Sequence, residues 1–233
     1  MDEIIRVNNL KKAYGKHVVL DDVSFSLGKN QIIGLLGPNG CGKTTLIKTM
    51  TGLIKDYDGE IFIDGDHPGV ETKKKIAYLP EMSYLPDWMR PTDAIKYFSD
   101  FYDDFDSIKA ERMMKDFALD RTQKIKTMSK GQKEKISLIL VMCRKAQLYI
   151  LDEPLGGVDP AAREQILDLI MKNYAEKSTV LMSTHLIHDI EPVLDRALMI
   201  SHGKVVLNES VAEIKKQGKT VEDIFKEVFA YAW

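Results

Sequence analysis

A glycine-rich segment that ends in a lysine and a threonine is the part of this sequence best suited to bind phosphate. The run Gly37-Pro-Asn-Gly-Cys-Gly-Lys43-Thr44 fits the pattern G-x-x-x-x-G-K-[ST] and lies between an apolar run and a helical pattern. Its glycines let successive backbone N–H groups converge on phosphate oxygens at the positive end of the following helix. We expect Lys43 to neutralise the β- and γ-phosphates of a nucleotide and Thr44 to bind Mg²⁺. The predicted nucleotide-binding residues of this phosphate loop are Gly37, Pro38, Asn39, Gly40, Cys41, Gly42, Lys43, Thr44 and Thr45.

Two adjacent carboxylates follow an apolar run further along the chain. In Leu148-Tyr-Ile-Leu-Asp152-Glu153 the first carboxylate can hold Mg²⁺ through water, and the second can polarise the attacking water. We therefore assign Asp152 to the metal and Glu153 to catalysis. Alone, this acidic pair could be a solvated helix cap, but downstream of a phosphate loop the functional interpretation is favoured. Both motifs occur in small GTPases, nucleotide kinases and recombinase-like motors, so they predict only a superfamily and a nucleotide cofactor.

A serine and a glycine before the helical pattern Lys133–Arg144 form a possible second anion site. The run Met128-Ser129-Lys130-Gly131-Gln132 combines these residues with a helix amino terminus. By itself it would be an ordinary helix cap. At this place, upstream of the acidic pair, it resembles the signature of the ABC (ATP-binding cassette) family, usually written Leu-Ser-Gly-Gly-Gln, and the resemblance extends over essentially the whole chain.

The resemblance implies roles for further residues. Tyr14 looks like the aromatic residue that stacks on adenine, and His185 looks like the switch histidine that contacts the γ-phosphate. The segment Leu155-Gly-Gly-Val-Asp159 looks like the D-loop of the family. ATP and Mg²⁺ are the implied cofactors, with Ser129, Gly131, Gln132 and Asp159 added to the nucleotide-binding residues.

Two positions depart from the family pattern. Glu81, in Tyr78-Leu-Pro-Glu81, stands where the family commonly has a glutamine that senses metal and water, and a carboxylate there could still contact the metal. Glutamate occurs at this position in exporter-type members. Lys130 replaces a signature glycine and places a cation near either the partner's γ-phosphate or solvent, two alternatives that the sequence leaves open.

These residues require a sheet that brings strand ends together. Buried strands are predicted at Ile32–Leu36, Leu148–Leu151 and Thr179–Met182, each ending in a polar loop, as in an open α/β sheet that binds its ligand at the carboxyl ends of its strands. Strand patterns at Ile4–Leu27 and Ile61–Ile63 predict a small antiparallel sheet. We expect an α/β fold of the ABC-type phosphate-loop NTPases, with a mainly parallel core, an amino-terminal antiparallel β-subdomain and an inserted helical subdomain.

The helical parts are predicted from spacing. The stretch Pro91–Leu119 mixes acidic and aromatic residues at helical spacing, with Asp106 or Ser107 as the cap of its second helix. The apolar residues within 221–229 form a stripe that should pack on the same domain. We expect residues 1–233 to form a single nucleotide-binding domain, with the helical subdomain at about 88–145.

Composition narrows the class of protein. The 233 residues carry a net charge of −2, which provides no bulk attraction for nucleic acid or an anionic membrane, so no nucleic-acid partner is expected. Neither a secretory signal nor a run of about 20 apolar residues is present. If the chain powers transport, we therefore expect the transmembrane pore to belong to another polypeptide. Cys41 and Cys143 have no metal-ligand spacing and suit a reducing cytosol. If the Cys41 thiol is accessible, its alkylation should block nucleotide binding.

The resemblance implies a motor with composite sites. Two cassettes sandwich two ATP molecules head to tail, so that the signature of one chain completes the phosphate site of the other, and hydrolysis lets the dimer open. Since all the catalytic elements are present, a homodimer is chemically sufficient, although a non-identical partner stays possible. Tyr-Leu-Pro-Glu81, the Pro-Leu155-Gly-Gly segment and the end of the chain at Thr220–Phe225 resemble bacterial exporters with separately encoded membrane subunits.

The expected function is therefore ATP hydrolysis that drives an ABC exporter from the cytoplasmic face of the cell membrane. An importer cassette or a soluble non-transport ABC ATPase stays an alternative, and an unrelated kinase or GTPase is the weakest one. The run Tyr97-Phe-Ser-Asp-Phe-Tyr-Asp-Asp-Phe105 is either the surface that receives the coupling helix of an integral membrane permease or a helix with one apolar and one solvated face.

Overall fold

In the part of the chain that the structure describes, nine strands form two sheets. The computed structural model describes residues 3–174 and 176–230. In chain order the strands of this part are β1 Glu3–Tyr14, β2 His17–Gly28, β3 Ile32–Leu36, β4 Asp58–Ile63, β5 Ile76–Leu79, β6 Leu148–Asp152, β7 Thr179–Thr184, β8 Arg196–Ser201 and β9 Lys204–Ser210.

The larger sheet has the order β5-β6-β7-β3-β8-β9, with parallel pairing from β5 through β8 and β9 antiparallel to β8. Every residue of β3, β6 and β7 is buried, as expected for parallel strands covered on both faces. The carboxyl ends of β6, β7 and β3 are neighbours, because Asp152 pairs with Ser183 and Leu36 pairs with Thr184. This edge of the sheet therefore collects the three polar loops identified in the sequence.

The smaller sheet is antiparallel and has the order β2-β1-β4. The predicted segment Ile4–Leu27 forms most of β1 and β2, which are separated by a turn. The predicted segment Ile61–Ile63 lies in β4. Leu10, Leu20 and Val23 on one face are fully buried. The predicted α/β fold with an antiparallel amino-terminal sheet is confirmed.

Helices cover the larger sheet and form most of the segment between β5 and β6. They are α1 Lys43–Met50, α2 Val70–Lys75, α3 Pro91–Phe101, α4 Ser107–Asp116, α5 Lys130–Met142, α6 Pro160–Asn173, α7 Ile187–Ile190, α8 Val211–Lys216 and α9 Val221–Phe229. Short 3₁₀ turns occupy Ile125–Thr127 and Glu191–Val193. Within the two described stretches, no helix combines the length and the apolar character needed to cross a bilayer.

The boundaries of α5 differ from the predicted Lys133–Arg144. The helix begins three residues earlier, because the Ser129 hydroxyl accepts from the Gln132 backbone N–H at 3.2 Å and the Gln132 side chain accepts from the Ser129 N–H at 2.9 Å. It ends at Met142, because Arg144 pairs with Phe105 in an isolated antiparallel bridge. Helix α4 is capped as expected, since Asp106 accepts from the Lys109 N–H at 2.8 Å.

Arg144 joins the helical segment to the larger sheet. Its buried guanidinium donates to both carboxylate oxygens of Asp104, at 2.9 and 3.1 Å, and to the carbonyl oxygens of Ile76 at 2.6 Å and Lys74 at 2.8 Å. It also lies 3.9 Å from the centroid of the Tyr102 ring. One side chain thus connects the loop between α3 and α4 to the start of β5.

Two hydrophobic clusters lie on opposite faces of the larger sheet. One lies between this sheet, the smaller sheet and α1. The other continues from the sheet into α3, α4 and α5, and it also receives α9 through Val221, Ile224 and Phe229. The apolar stripe at residues 221–229 therefore packs against its own domain, as predicted.

Candidate functional site

The phosphate loop connects β3 to α1 with the geometry that a helix amino terminus needs. Gly42 caps α1 in a left-handed conformation, with φ 110°, and a Cβ at this position would lie 2.9 Å from Leu20 Cδ2. Only glycine fits this position. Lys43 opens the helix, and its buried ammonium donates to the carbonyl oxygens of Gly37 at 2.8 Å and Pro38 at 3.2 Å. The loop therefore presents backbone N–H groups and a fixed cation together.

Asp152 lies at the end of β6, buried beside the phosphate loop. Its Oδ1 accepts from Thr44 Oγ1 at 3.3 Å and from Ser183 Oγ at 2.6 Å, whereas Oδ2 is buried without a hydrogen-bond partner. Burial raises the pKa of Asp152; the hydrogen bonds from Ser183 and Thr44 oppose this, and the charges of Glu81 and Glu153 add to it. The carboxylate is held in place but not neutralised by a cationic side chain.

Glu153 contacts two other residues with predicted catalytic roles. One carboxylate oxygen lies 3.4 Å from Lys43 Nζ, and the other lies 3.1 Å from His185 Nδ1. The backbone of Glu153 has φ 49°, a left-handed conformation that is uncommon for a residue with a side chain. Its N–H donates to the Ser183 carbonyl oxygen at 3.1 Å and to Ser183 Oγ at 2.9 Å, which holds this strained residue at the end of β6.

A cavity of about 230 Å³ opens over the phosphate loop and Glu153. It is lined by Val19, Asn39, Gly40, Gly42, Lys43, Thr44, Thr45, Glu81 and Glu153. Glu81 therefore lines the same cavity as the phosphate loop. Cys41 is only 6% exposed, and burial raises the pKa of its thiol. The condition for its alkylation, an accessible thiol, is not met.

Other predicted nucleotide-binding residues do not line this cavity. Among the described residues that line it, Tyr14, Ser129, Gly131, Gln132 and Asp159 are absent. Tyr14 ends β1 with a 52% exposed ring, and Lys12 Nζ lies 4.9 Å from the ring centroid. Ser129 and Gln132 cap α5, and Asp159 precedes α6.

The oxygen donors around Asp152 fit Mg²⁺. Mg²⁺ is usually bound by one or two carboxylates together with substrate phosphates and water. The buried Oδ2 of Asp152 has no hydrogen bond, and Thr44 Oγ1 lies 3.3 Å from Oδ1. In the described part of the chain, no group of three or more His, Cys, Asp or Glu side chains could hold a metal ion. A metal at Asp152 would therefore need hydroxyl and phosphate oxygens to complete its coordination.

Ser183 is a site residue that the sequence analysis missed. Its hydroxyl donates to Asp152 and accepts from the Glu153 N–H, so it connects both members of the acidic pair. The available signal was weak: a hydroxyl residue near the end of a buried strand, two positions before His185. Such residues occur in many strands without any function.

A wide groove of about 750 Å³ lies between the larger sheet and the helical segment. Its walls are mainly apolar, with Leu53 and Val70 on one side and Tyr84 and Phe101 on the other. The rings of Tyr97 and Phe101 stack with centroids 6.0 Å apart and remain 55% and 66% exposed. Other residues lining the groove are Lys48, Thr51, Lys73, Lys74, Ile76, Ala77, Tyr78, Pro80, Phe98, Tyr102, Val141 and Arg144.

Comparisons with known proteins agree with this architecture. A family model described as ABC transporter matches residues 20–156. The chain is 33% identical to the uncharacterized ABC transporter ATP-binding protein MJ1023 of Methanocaldococcus jannaschii, over 94% of this chain and 82% of that protein. It is 30% identical to the SkfA peptide export ATP-binding protein SkfE of Bacillus subtilis, over 96% of both chains. A solved structure described as an ATP binding subunit of an ABC transporter superposes with a TM-score of 0.84 at 27% identity, covering 96% of this chain and 98% of that one.

Proposed function

This chain belongs to the ABC transporter family as an ATP-binding protein, and from that membership we propose that it hydrolyses ATP to drive an exporter. The observation that carries the proposal is the convergence of Lys43, Glu153 and His185 beside Asp152 at one edge of the larger sheet. In this proposal residues 1–233 form one nucleotide-binding domain, with its helical subdomain at about 88–145. SkfE, the similar protein named for peptide export, supports the outward direction.

Each residue of the site has its own role in phosphoryl transfer. Lys43 and the loop N–H groups bind the β- and γ-phosphates, while Thr44, Asp152 and Glu81 provide the oxygen donors for Mg²⁺. When bound, the metal neutralises phosphate charge. Glu153 polarises the attacking water, and His185, which contacts Glu153 at 3.1 Å, is positioned to reach the γ-phosphate. Catalysis rests on positioning and charge neutralisation rather than on a covalent intermediate.

The site becomes complete when a second cassette binds. Ser129 and Gly131 at the start of α5 lie outside the phosphate cavity of their own chain, which supports a role at the ATP held by a partner cassette. Tyr14 would stack on adenine, and Asp159 would contact the partner near the nucleotide. A second copy of this chain supplies every missing group, so we propose a head-to-tail homodimer that ATP closes and hydrolysis opens.

An integral membrane permease, encoded as a separate chain, is the second proposed partner. A coupling helix of that subunit would dock on an apolar surface. This surface consists of the wide groove next to Pro80 and the exposed rings of Tyr97 and Phe101. Phe98, by contrast, is 6% exposed and belongs to the core. Part of the aromatic run therefore packs inside the domain, and part of it is exposed at the surface. Docking there would hold the chain at the cytoplasmic face of the membrane. An importer cassette or a soluble ABC ATPase stays an alternative function.

The test is ATP hydrolysis by the purified chain and by Glu153→Gln, measured together with the oligomeric state in ATP. The substitution keeps the shape of the side chain but removes the carboxylate, so hydrolysis should fall by about 10²–10⁴-fold. ATP should then trap a dimer that the wild-type chain forms only transiently. Equal hydrolysis by both proteins would exclude Glu153 as the group that activates water. No hydrolysis by the wild-type chain alone would indicate that a different cassette or the permease is needed.

A further inference from the structure

A small cavity of about 30 Å³ lies behind the acidic pair, and the exposed residues Glu81 and Ser83 are part of its lining. Asp152 and Glu153 line one side of it, and Glu134 and Ser137, which are three residues apart on α5, line another. Residues at this spacing lie on the same face of a helix. The cavity therefore lies between the end of β6 and the helix that the signature serine, Ser129, caps.

The walls of this cavity carry buried polar atoms that make no hydrogen bond within the protein. They are Glu134 Oε2, Ser137 Oγ and Asp152 Oδ2, together with Glu153 Oε1, whose contact is the ion pair with Lys43. Ser137 is 3% exposed and Asp152 is 1% exposed. Buried side-chain polar atoms in native proteins bind either another protein group or an ordered water in the great majority of cases. These atoms thus indicate a polar ligand in the cavity.

The size and charge of the cavity select water as this ligand. A water molecule needs roughly 10–15 Å³ of such volume and two to four polar neighbours, so the cavity has room for about two. Carboxylates form much of the wall, which excludes an anion. Asp152 Oδ2 is the oxygen assigned to Mg²⁺ in the proposed function, so the atoms left for water are Glu134 Oε2 and Ser137 Oγ, beside Glu153 Oε1.

Glu134 links this cavity to the surface of the chain. Its Oε1 lies 3.6 Å from Lys130 Nζ, while Oε2 is the oxygen without a hydrogen bond. The Lys130 ammonium lies against the D-loop, since a Cβ built on Gly157 would clash with it. Burial raises the pKa of Glu134, and Lys130 opposes this rise. The lysine that departs from the signature pattern thus holds Glu134 and contacts the D-loop of its own chain.

We propose that the cavity is a water site and that Glu134 and Ser137 are positioning residues, which hold its waters against Asp152 and Glu153. Hydrogen bonds from these waters fix the orientation of the Glu153 carboxylate. The inference rests on the proposed function in taking Glu153 as the residue that polarises the attacking water. Since Ser129 caps α5, in this proposal one helix contacts the partner's nucleotide and also orients the catalytic carboxylate of its own chain.

Two substitutions that fill the cavity with apolar atoms test this role. Ser137→Val and Glu134→Met should each lower kcat by about tenfold, because a misplaced carboxylate loses its alignment with the attacking water. KM for ATP should stay within about twofold, because the phosphate loop is not altered. Glu134→Gln, which keeps hydrogen-bonding groups, should recover most of the kcat lost in Glu134→Met. Lys135→Met is the control expected to match wild type, since Lys135 contacts Gln165 and Phe117 instead.

A high-resolution crystal structure of the wild-type chain provides a test without any substitution. Ordered waters should lie within hydrogen-bond distance of Ser137 Oγ and Glu134 Oε2. A dry cavity, or wild-type kcat in both Ser137→Val and Glu134→Met, would overturn the proposal. Failure of the proposed function looks different: the wild-type chain would not hydrolyse ATP, or Glu153→Gln would hydrolyse it as fast as wild type.

Discussion

At the scale of single residues, the site depends on buried polar groups that hold one another. Lys43, Asp152, Glu153 and His185 could be placed together from the sequence, because parallel strands end at the same edge of a sheet. Ser183 could not. A single hydroxyl residue in a buried strand has no distinctive spacing, and its importance comes from pairing of β6 with β7, which sets Ser183 opposite Asp152.

Ser183→Ala should weaken metal-dependent hydrolysis more than it weakens nucleotide binding. The change removes the 2.6 Å hydrogen bond to Asp152 and one of the two that the Glu153 N–H donates. Losing a buried hydrogen bond of this kind costs about 1–3 kcal/mol. The Mg²⁺ concentration that gives half-maximal ATPase activity should therefore rise. Thr72→Val, which removes a buried hydroxyl bonded to Gly69, is the control that should lower Tm without changing the Mg²⁺ dependence.

At the scale of elements, the strongly apolar strands were the easiest to predict. β3, β6 and β7 are continuous apolar runs because both faces of the sheet are covered. β9 was not predicted, since it is an edge strand whose residues are mostly half-buried and mixed in polarity. The start of α5 was placed three residues late because the capping role of Ser129 depends on the side chain of Gln132, which reaches back to the Ser129 N–H.

The connection between the helical segment and β5 should depend strongly on Arg144. In Arg144→Met, Asp104 loses its ion pair, and the carbonyl oxygens of Ile76 and Lys74 lose their donor. Since Asp104 is 28% exposed, we expect a loss of about 2–4 kcal/mol, at the lower side of the values for fully buried pairs.

Thermal unfolding followed by calorimetry measures this loss. Arg121→Met is a matched control, because the Arg121 and Glu111 side chains form a short ion pair but are 48% and 39% exposed. Its removal should cost less than about 1 kcal/mol. Equal Tm values for the two variants would contradict the structural role given to Arg144.

At the scale of the whole molecule, the phosphate loop and the signature-like serine lie in different parts of one chain. The phosphate cavity lies at the edge formed by β6, β7 and β3, and the signature serine caps a helix of the helical segment. The sequence contains every motif, and the separation of these two was expected only from the family resemblance, not from their spacing. Spacing along a chain does not specify which motifs meet within one copy.

Mixing two inactive variants tests the composite site. Lys43→Ala removes the phosphate cation, and Gly131→Asp adds a negative charge at the signature, where a Cβ has open space around it. Each protein alone should be inactive. In an equal mixture, half of the dimers contain both variants and retain one intact site, so activity should return to about one quarter of the wild-type rate. A mixture as inactive as its components would contradict head-to-tail assembly.

The burial of Cys41 has a consequence for the redox sensitivity of the protein. A thiol inside a phosphate loop would normally expose nucleotide binding to peroxide and to disulfide exchange, since thiolates are the reactive form. Here the sulfur is enclosed and its pKa is raised, so little thiolate forms and oxidants have poor access. Cys143 is buried as well, and burial raises the pKa of its thiol to about 12. ATP hydrolysis should thus persist at peroxide concentrations that inactivate enzymes with exposed active-site thiols.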